Sequence, residues 1–295
     1  MEEGYWVIRT YAAGAVGEKT KFWLPGPRPS RKAGRRERDA IRKQEQNESA
    51  CVKRMARLIN ANFSPGDLLI GLDYSNEGLL HLAARAGDIA GRSEREEPGD
   101  MEEHMRRAAE AELRNCLRRV KRALEKKGAE LRYIAITSDM DGDTGEAVRL
   151  HHHLIVPAAA REVFRDKWTL GGVHWSSMAE QIDYTPIAEY LLRQVRRMPD
   201  EKKYMSSRNL IRPAPSDRIA VSAAELRVPR DGVLLYRSAW QGGHTAQYLK
   251  YMLPRDKWRG RRQVDEEDIR DATGREHGQA DPGAGGGSQQ RRAGD

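Results

Sequence analysis

"LHHHLIVP", residues 150–157, sets three histidines at the head of a short apolar run closed by a proline. A run this short, rich in Leu, Ile and Val, predicts a buried β-strand. Side chains alternate faces along a strand. Leu150, His152, Leu154 and Val156 therefore share one face, apolar apart from His152, while His151, His153 and Ile155 share the other. His152 is expected in a core. His151 and His153, with Cα atoms roughly 6–7 Å apart, stand side by side on a functional face. They form either two neutral imidazoles converging on one divalent metal or a solvated, hydrogen-bonded pair.

The neighbouring stretches supply the rest of a sheet. "LRYIAITSD" (131–139) reads as a strand that a polar loop joins to the histidine strand, giving an antiparallel pair. "GDLLIGLDYS" (66–75) reads as a strand with Leu68, Ile70, Leu72 and Tyr74 on its core face. Asp73 lies on the other face, exposed or near a site. Residues 101–128 predict a helix, because Leu113, Cys116, Leu117, Val120 and Leu124 form a stripe at helical spacing. Its opposite face is dense in Arg and Lys, and Gly128 ends it. Residues 79–100 lose periodicity and read as a long loop or insertion.

Residues 5–25 read as a small hairpin or an edge piece. A basic Pro/Gly linker follows and becomes a helical pattern with Val52, Met55, Ala56 and Ile59 on one side. "KWTLGGVHW" reads as a turn region. A helix is predicted to begin at Thr185-Pro186, with Thr185 as N-cap and Pro186 at the first helical position. "AAELRVP" and "GVLLYRSAW" are two further candidate strands, and "TAQYLKYMLP" fits no single state. From about Arg259 onward there is almost no apolar residue and a Gly/Ser-rich tract, so that tail is expected to be disordered.

Lys and Arg number 52 against 44 Asp and Glu, a formal net charge of +8 and a pI near 9.5. That excess suggests an anionic partner, nucleic acid first. The only cysteines, Cys51 and Cys116, are far apart, which argues against a disulfide framework or a cysteine zinc site and fits a reducing cytoplasm. No apolar stretch is long enough to cross a membrane, and "MEEGYWVIRT" does not read as a signal peptide. A soluble, cytoplasmic protein is expected. No G-x-x-x-x-G-K-[ST] stretch is present, which argues against an ATP-driven motor in this chain.

In "PIAEYLLRQVRR" (186–197), Ile187, Ala188, Leu191, Leu192 and Val195 make the packed side of a helix. Tyr190, Arg193, Gln194 and Arg197, at i, i+3, i+4 and i+7, fall together beside it. A tyrosine framed by two arginines is either a side chain snorkelling at a core margin or a nucleophile. A phenol with a pKa near about 10 attacks poorly. A metal on the target phosphate and cationic neighbours would lower that barrier.

Histidine-apolar-histidine followed by an apolar run, then a helix with a tyrosine and a basic residue three positions on, resembles the HUH endonucleases. More closely, the chain resembles the rolling-circle replication initiators of bacterial plasmids, phages and integrative elements. "NFSPGDLLIGLDY" resembles that family's first strand motif, and "LRYIAITSD…RLHHHLIVP" its metal-binding strand pair. "KWTLGG", "DYTPIAEYLLRQ" and "YMSSRNLIRPAP" resemble the stretch through its tyrosine helix, so the likeness covers roughly residues 50–215.

The resemblance implies an α+β fold with a central antiparallel sheet and packed helices. It places an N-terminal segment with a basic linker at 1–48, the endonuclease domain at 49–257 and the disordered tail at 258–295. It makes His151 and His153 ligands of Mn²⁺ or Mg²⁺ and Tyr190 the nucleophile, with Arg193 where the family carries lysine. Two departures bear on the third ligand: "GLDY" stands where the family reads T-L-T-Y, and Ser138 holds the usual acidic position, with Asp139 one step later. Asp139, then Gln194, then Glu146 are the candidates. The implied substrate is single-stranded DNA at a replication origin, tracked by Arg196, Arg197, Lys202, Lys203 and Arg208, with a host helicase and polymerase as further partners. Tyr190 and Gln194 also give the Y-x-x-x-Q spacing of single-tyrosine HUH transposases, and the altered motifs admit an inactive single-strand-binding protein.

Overall fold

The computed structural model describes residues 4–25, 37–90, 101–195, 202–220, 226–240, 246–254 and 257. Two five-stranded sheets carry the chain, and every strand pairing in them is antiparallel. The first is built around the histidine strand β5 (Ala147–Val156), which lies between β3 (Leu68–Asp73) and β4 (Ile134–Met140). β6 (Val173–Ser177) and β7 (Met205–Ser206) complete the order β6-β3-β5-β4-β7.

Strand parity divides the core between the two faces of this sheet. Leu68, Ile70 and Leu72 of β3, with Leu154 and Val156 of β5, pack against Leu113, Cys116, Leu117, Val120 and Leu124 of α3 (Met101–Glu125). On the other face, Ile134, Ile136 and Ile155 meet Met55 and Ile59 of α1 (Glu37–Asn62) and Ala188 and Leu191 of α5 (Thr185–Arg193). The central sheet is thus sandwiched between helical layers, and the α+β expectation holds. The expected disordered tail, 258–295, lies outside the described residues.

Several local readings change. Residues 79–90 are not loop but part of α2 (Asn76–Ala90). Leu79, Leu82, Ala86 and Ile89 do form a helical stripe against α3, but two of the four are only partly buried, and Leu80 stands 72% exposed on the wrong side. "KWTLGGVHW" holds the end of α4 (Arg161–Lys167) and the edge strand β6, whose residues are largely exposed and show no apolar alternation. Tyr184, not Thr185, occupies the N-cap of α5, because the Asp183 carboxylate takes the Thr185 N–H at 3.1 Å. That helix also stops at Arg193 rather than running to 197.

The second sheet joins distant parts of the chain. β1 (Gly4–Ala13) and β2 (Val16–Pro25) form a long hairpin whose turn uses Gly14 at φ 54°. It is central rather than an edge piece: the order is β8-β1-β2-β10-β9, with β8 (Ser216–Ala220), β9 (Val233–Trp240) and β10 (Ala246–Met252). "GVLLYRSAW" is the β9 strand. Leu226–Pro229 of "AAELRVP" is not a strand, and "TAQYLKYMLP" contains β10.

Candidate metal and nucleophile site

β5 presents the three histidines as parity requires. His152 is fully buried, its Nδ1 3.0 Å from Thr137 Oγ1 and its Nε2 2.7 Å from the Tyr74 hydroxyl. Burial, then the neighbouring His151 and His153, holds its pKa down to about 3. His151 and His153 project from the opposite face with their Nε2 atoms 3.0 Å apart.

The proton on His151 is fixed by its surroundings. Its Nδ1 lies 2.8 Å from the Arg149 carbonyl oxygen. A carbonyl only accepts, so Nδ1 carries the hydrogen and Nε2 keeps its lone pair. His153 is held neutral, its pKa lowered to about 4 by burial first and by His151 second, against the pull of Gln194 and Asp73. Its Nε2 donates to the Gln194 side-chain oxygen at 2.9 Å, because an amide oxygen only accepts, and a bound metal would take that proton's place.

Gln194 is buried and held at both ends. Its side-chain N–H donates to the Tyr190 carbonyl at 3.2 Å, which turns the amide oxygen toward His153. Its backbone carbonyl accepts from the Ser138 hydroxyl at 3.0 Å. Ser138 pairs with His151 across β4 and β5, so its hydroxyl anchors the segment bearing the amide beside the histidine strand.

Tyr190 completes the group. Its ring centroid lies 5.9 Å from that of His153, and the side chain is 44% exposed. It lines a cavity of about 330 Å³ with His151, His153, Gln194, Asp73 and Arg149.

Other sequence candidates fall elsewhere. The β4–β5 register slips between Ser138 and Met140, and Asp139, on the opposite parity to Ser138, gives its carboxylate to Arg106 of α3 at 3.0 Å. It does not join the histidines. Glu146 is exposed and does not line the cavity. Arg193 reaches Asp143 at 3.4 Å, at the rim rather than in the cavity lining. Lys203 faces Glu48 at 3.6 Å, while Lys202 and Arg208 are exposed; none of the three lines the cavity. Arg196 and Arg197 lie outside the described residues.

Arg149 and Asp73 are the cavity-lining side chains that sequence reasoning missed or left open. Parity could have found Arg149, since 149, 151 and 153 share a face. Its guanidinium is steadied by Asn76 at 2.9 Å, at the start of the unexpected helix α2. Asp73 stands opposite His151 in the β3–β5 register and bonds His174 of β6 at 2.9 Å. The 168–172 loop closes tightly over Asp73: the Trp168 indole donates to its carbonyl at 2.9 Å, and a Cβ at Gly171 would overlap that oxygen.

Neighbouring corners of an octahedron with bonds of about 2.1 Å stand about 3 Å apart, matching the His151–His153 and His153–Gln194 spacings of 3.0 and 2.9 Å. Two imidazoles with an amide oxygen could hold a divalent cation such as Mn²⁺, while Mg²⁺ favours oxygen donors. Among the described residues no three His, Cys, Asp or Glu group as a metal site; the side chain that meets the histidine pair is the Gln194 amide. No family model, curated protein or solved structure matches this chain.

Proposed function

We propose that this chain is an HUH-type, metal-dependent endonuclease and strand transferase that nicks single-stranded DNA at a replication origin and starts rolling-circle replication. The observation that carries the reading is the convergence of His151, His153 and Gln194 within one cavity that also holds Tyr190. The net charge of +8 supports a nucleic-acid partner.

His151, His153 and Gln194 would hold the metal, which when bound polarises the phosphate and stabilises charge on its oxygens. Tyr190 Oη attacks phosphorus, forming an O–P bond as the P–O3′ bond breaks. The phenolic proton leaves to solvent, and the departing 3′ oxygen takes up a proton. The product is a 5′-phosphotyrosine and a free 3′-OH for a polymerase. Arg149 lies on the cavity wall to meet non-bridging phosphate oxygens, and Arg193 adds positive charge at the rim.

The test is incubation with a randomised library of 3′-labelled single strands and Mn²⁺. The reading expects a denaturation-resistant protein band carrying the 3′ label, absent when the metal is chelated. Gln194 beside His153 also favours a second reading, a single-tyrosine HUH transposase with the same chemistry. Selected sequences that fold as hairpin element ends would support it over the initiator. Binding without cleavage would leave a single-strand-binding protein.

A further inference from the structure

Lys250 belongs to β10 in the second sheet, yet its ammonium ends at the start of the tyrosine helix. Its Nζ donates to Asp183 Oδ2 at 2.8 Å and to Thr185 Oγ1 at 2.7 Å. The other Asp183 oxygen accepts from Asn60 of α1 at 3.0 Å, from the Thr185 hydroxyl at 2.7 Å and from the Thr185 N–H at 3.1 Å. Asn60 in turn accepts the Tyr184 N–H at 2.8 Å. Three elements thus meet at the first turn of α5.

The pair is well sheltered, with Lys250 and Asp183 side chains 12% and 20% exposed. Burial pushes the Asp183 carboxyl upward, but Lys250, Asn60 and Thr185 together outweigh it and hold the group below its ordinary value. The β10–β9 register slips between Lys250 and Tyr251. Such bulges re-aim side chains and recur beside functional sites.

A sheltered ion pair is weak evidence for stability, because apolar residues of equal size often serve as well. Its geometric role is more specific. Tyr190 lies five residues beyond Thr185, about 7.5 Å along the helix axis, and is 44% exposed. Its aim therefore depends on the frame of α5, which is held both by the core packing of Ala188 and Leu191 and by the Asp183–Lys250 contact at its start.

We propose that Lys250, acting through Asp183, is a positioning residue for Tyr190, so that the second sheet sets the tyrosine's reach toward the phosphate. The inference rests on reading Tyr190 as the nucleophile. A misplacement of about 1 Å can cost about 100-fold in rate. Lys250→Met in the full chain should therefore slow adduct formation by roughly 10- to 100-fold at saturating DNA. The DNA concentration giving half-maximal rate should stay unchanged, and Lys250→Arg should recover most of the rate. Hydrogen exchange over 183–193 should quicken in Lys250→Met while the histidine strand keeps its protection. Should Lys250→Met fail to fold, Asp183→Asn, which keeps the size but not the charge, should show the same slowed adduct formation and quicker exchange over 183–193. Unchanged exchange and rate in these variants would overturn the proposal. So would a uniform rise in exchange across every element, which marks a structural pair only. If the unaltered chain forms no adduct, the nuclease reading falls, while the exchange arm still decides whether Lys250 holds the helix.

Discussion

Gln194 sets its side-chain oxygen 2.9 Å from His153 Nε2, although the two residues lie 41 positions apart on different elements. The contact sets the amide where the proposed metal site would take it as a third donor. Gln194→Ala should weaken Mn²⁺ binding by about 10- to 100-fold, read by titration of the free-ion electron spin resonance signal. Gln194→Glu keeps an oxygen there and adds charge, so it should bind at least as tightly as the unaltered chain. Undiminished affinity in the alanine variant would remove Gln194 from the site.

The outer and central histidines should separate cleanly. His151→Ala and His153→Ala should abolish metal binding and leave the unfolding midpoint in urea nearly unchanged. His152→Ala should keep metal binding but lose about 2–4 kcal/mol of stability. It opens a cavity and strips partners from the Thr137 and Tyr74 hydroxyls.

His152 also predicts an acid limb. Its folded pKa of about 3 lies below the ordinary value of 6.5. Above pH 6.5 both folded and unfolded chains carry it neutral and it adds no pH dependence. As pH falls from 6.5 toward 3, the unfolded chain binds a proton that the folded chain refuses, and stability drops. The slope from this one group approaches about 1.4 kcal/mol per pH unit. Urea unfolding between pH 6.5 and 5, above most carboxylate titration, should show a shallower loss in His152→Gln. Equal slopes in the two chains would contradict the burial argument.

Arg149→Ala leaves the backbone carbonyl that orients His151 and removes only the guanidinium. Single-stranded DNA affinity should fall, and the logarithmic salt slope should shrink by about one. Mn²⁺ affinity should not change. An unaltered salt slope would mean that Arg149 meets no phosphate.

The sheet face bearing the site was legible because parity is strict: one period-2 rule placed His152 inward and His151 and His153 outward. The order of the third-donor candidates was not: Gln194, placed second, is the one that meets the pair, and Asp139, placed first, does not. Asp139 follows the right strand, but the register slip after Ser138 and the pull of Arg106 turn its carboxylate toward α3. Gln194 was legible as a neighbour of Tyr190, though not as a residue just past the helix end, where Ser138 holds its carbonyl. The second sheet was illegible because its strands come from residues 4–25 and 216–252, and no local pattern announces a pairing across such a separation.

Mapping the residue joined to DNA tests the central claim most directly. The full chain would be incubated with cleavable single strands and Mn²⁺, digested, and the nucleotide-bearing peptide sequenced by mass spectrometry. The account predicts a 5′-phosphate ester on Tyr190, and no adduct from Tyr190→Phe, which should still bind metal and DNA. An ester on Tyr184, Tyr248 or any other residue, or full adduct yield from Tyr190→Phe, would contradict it.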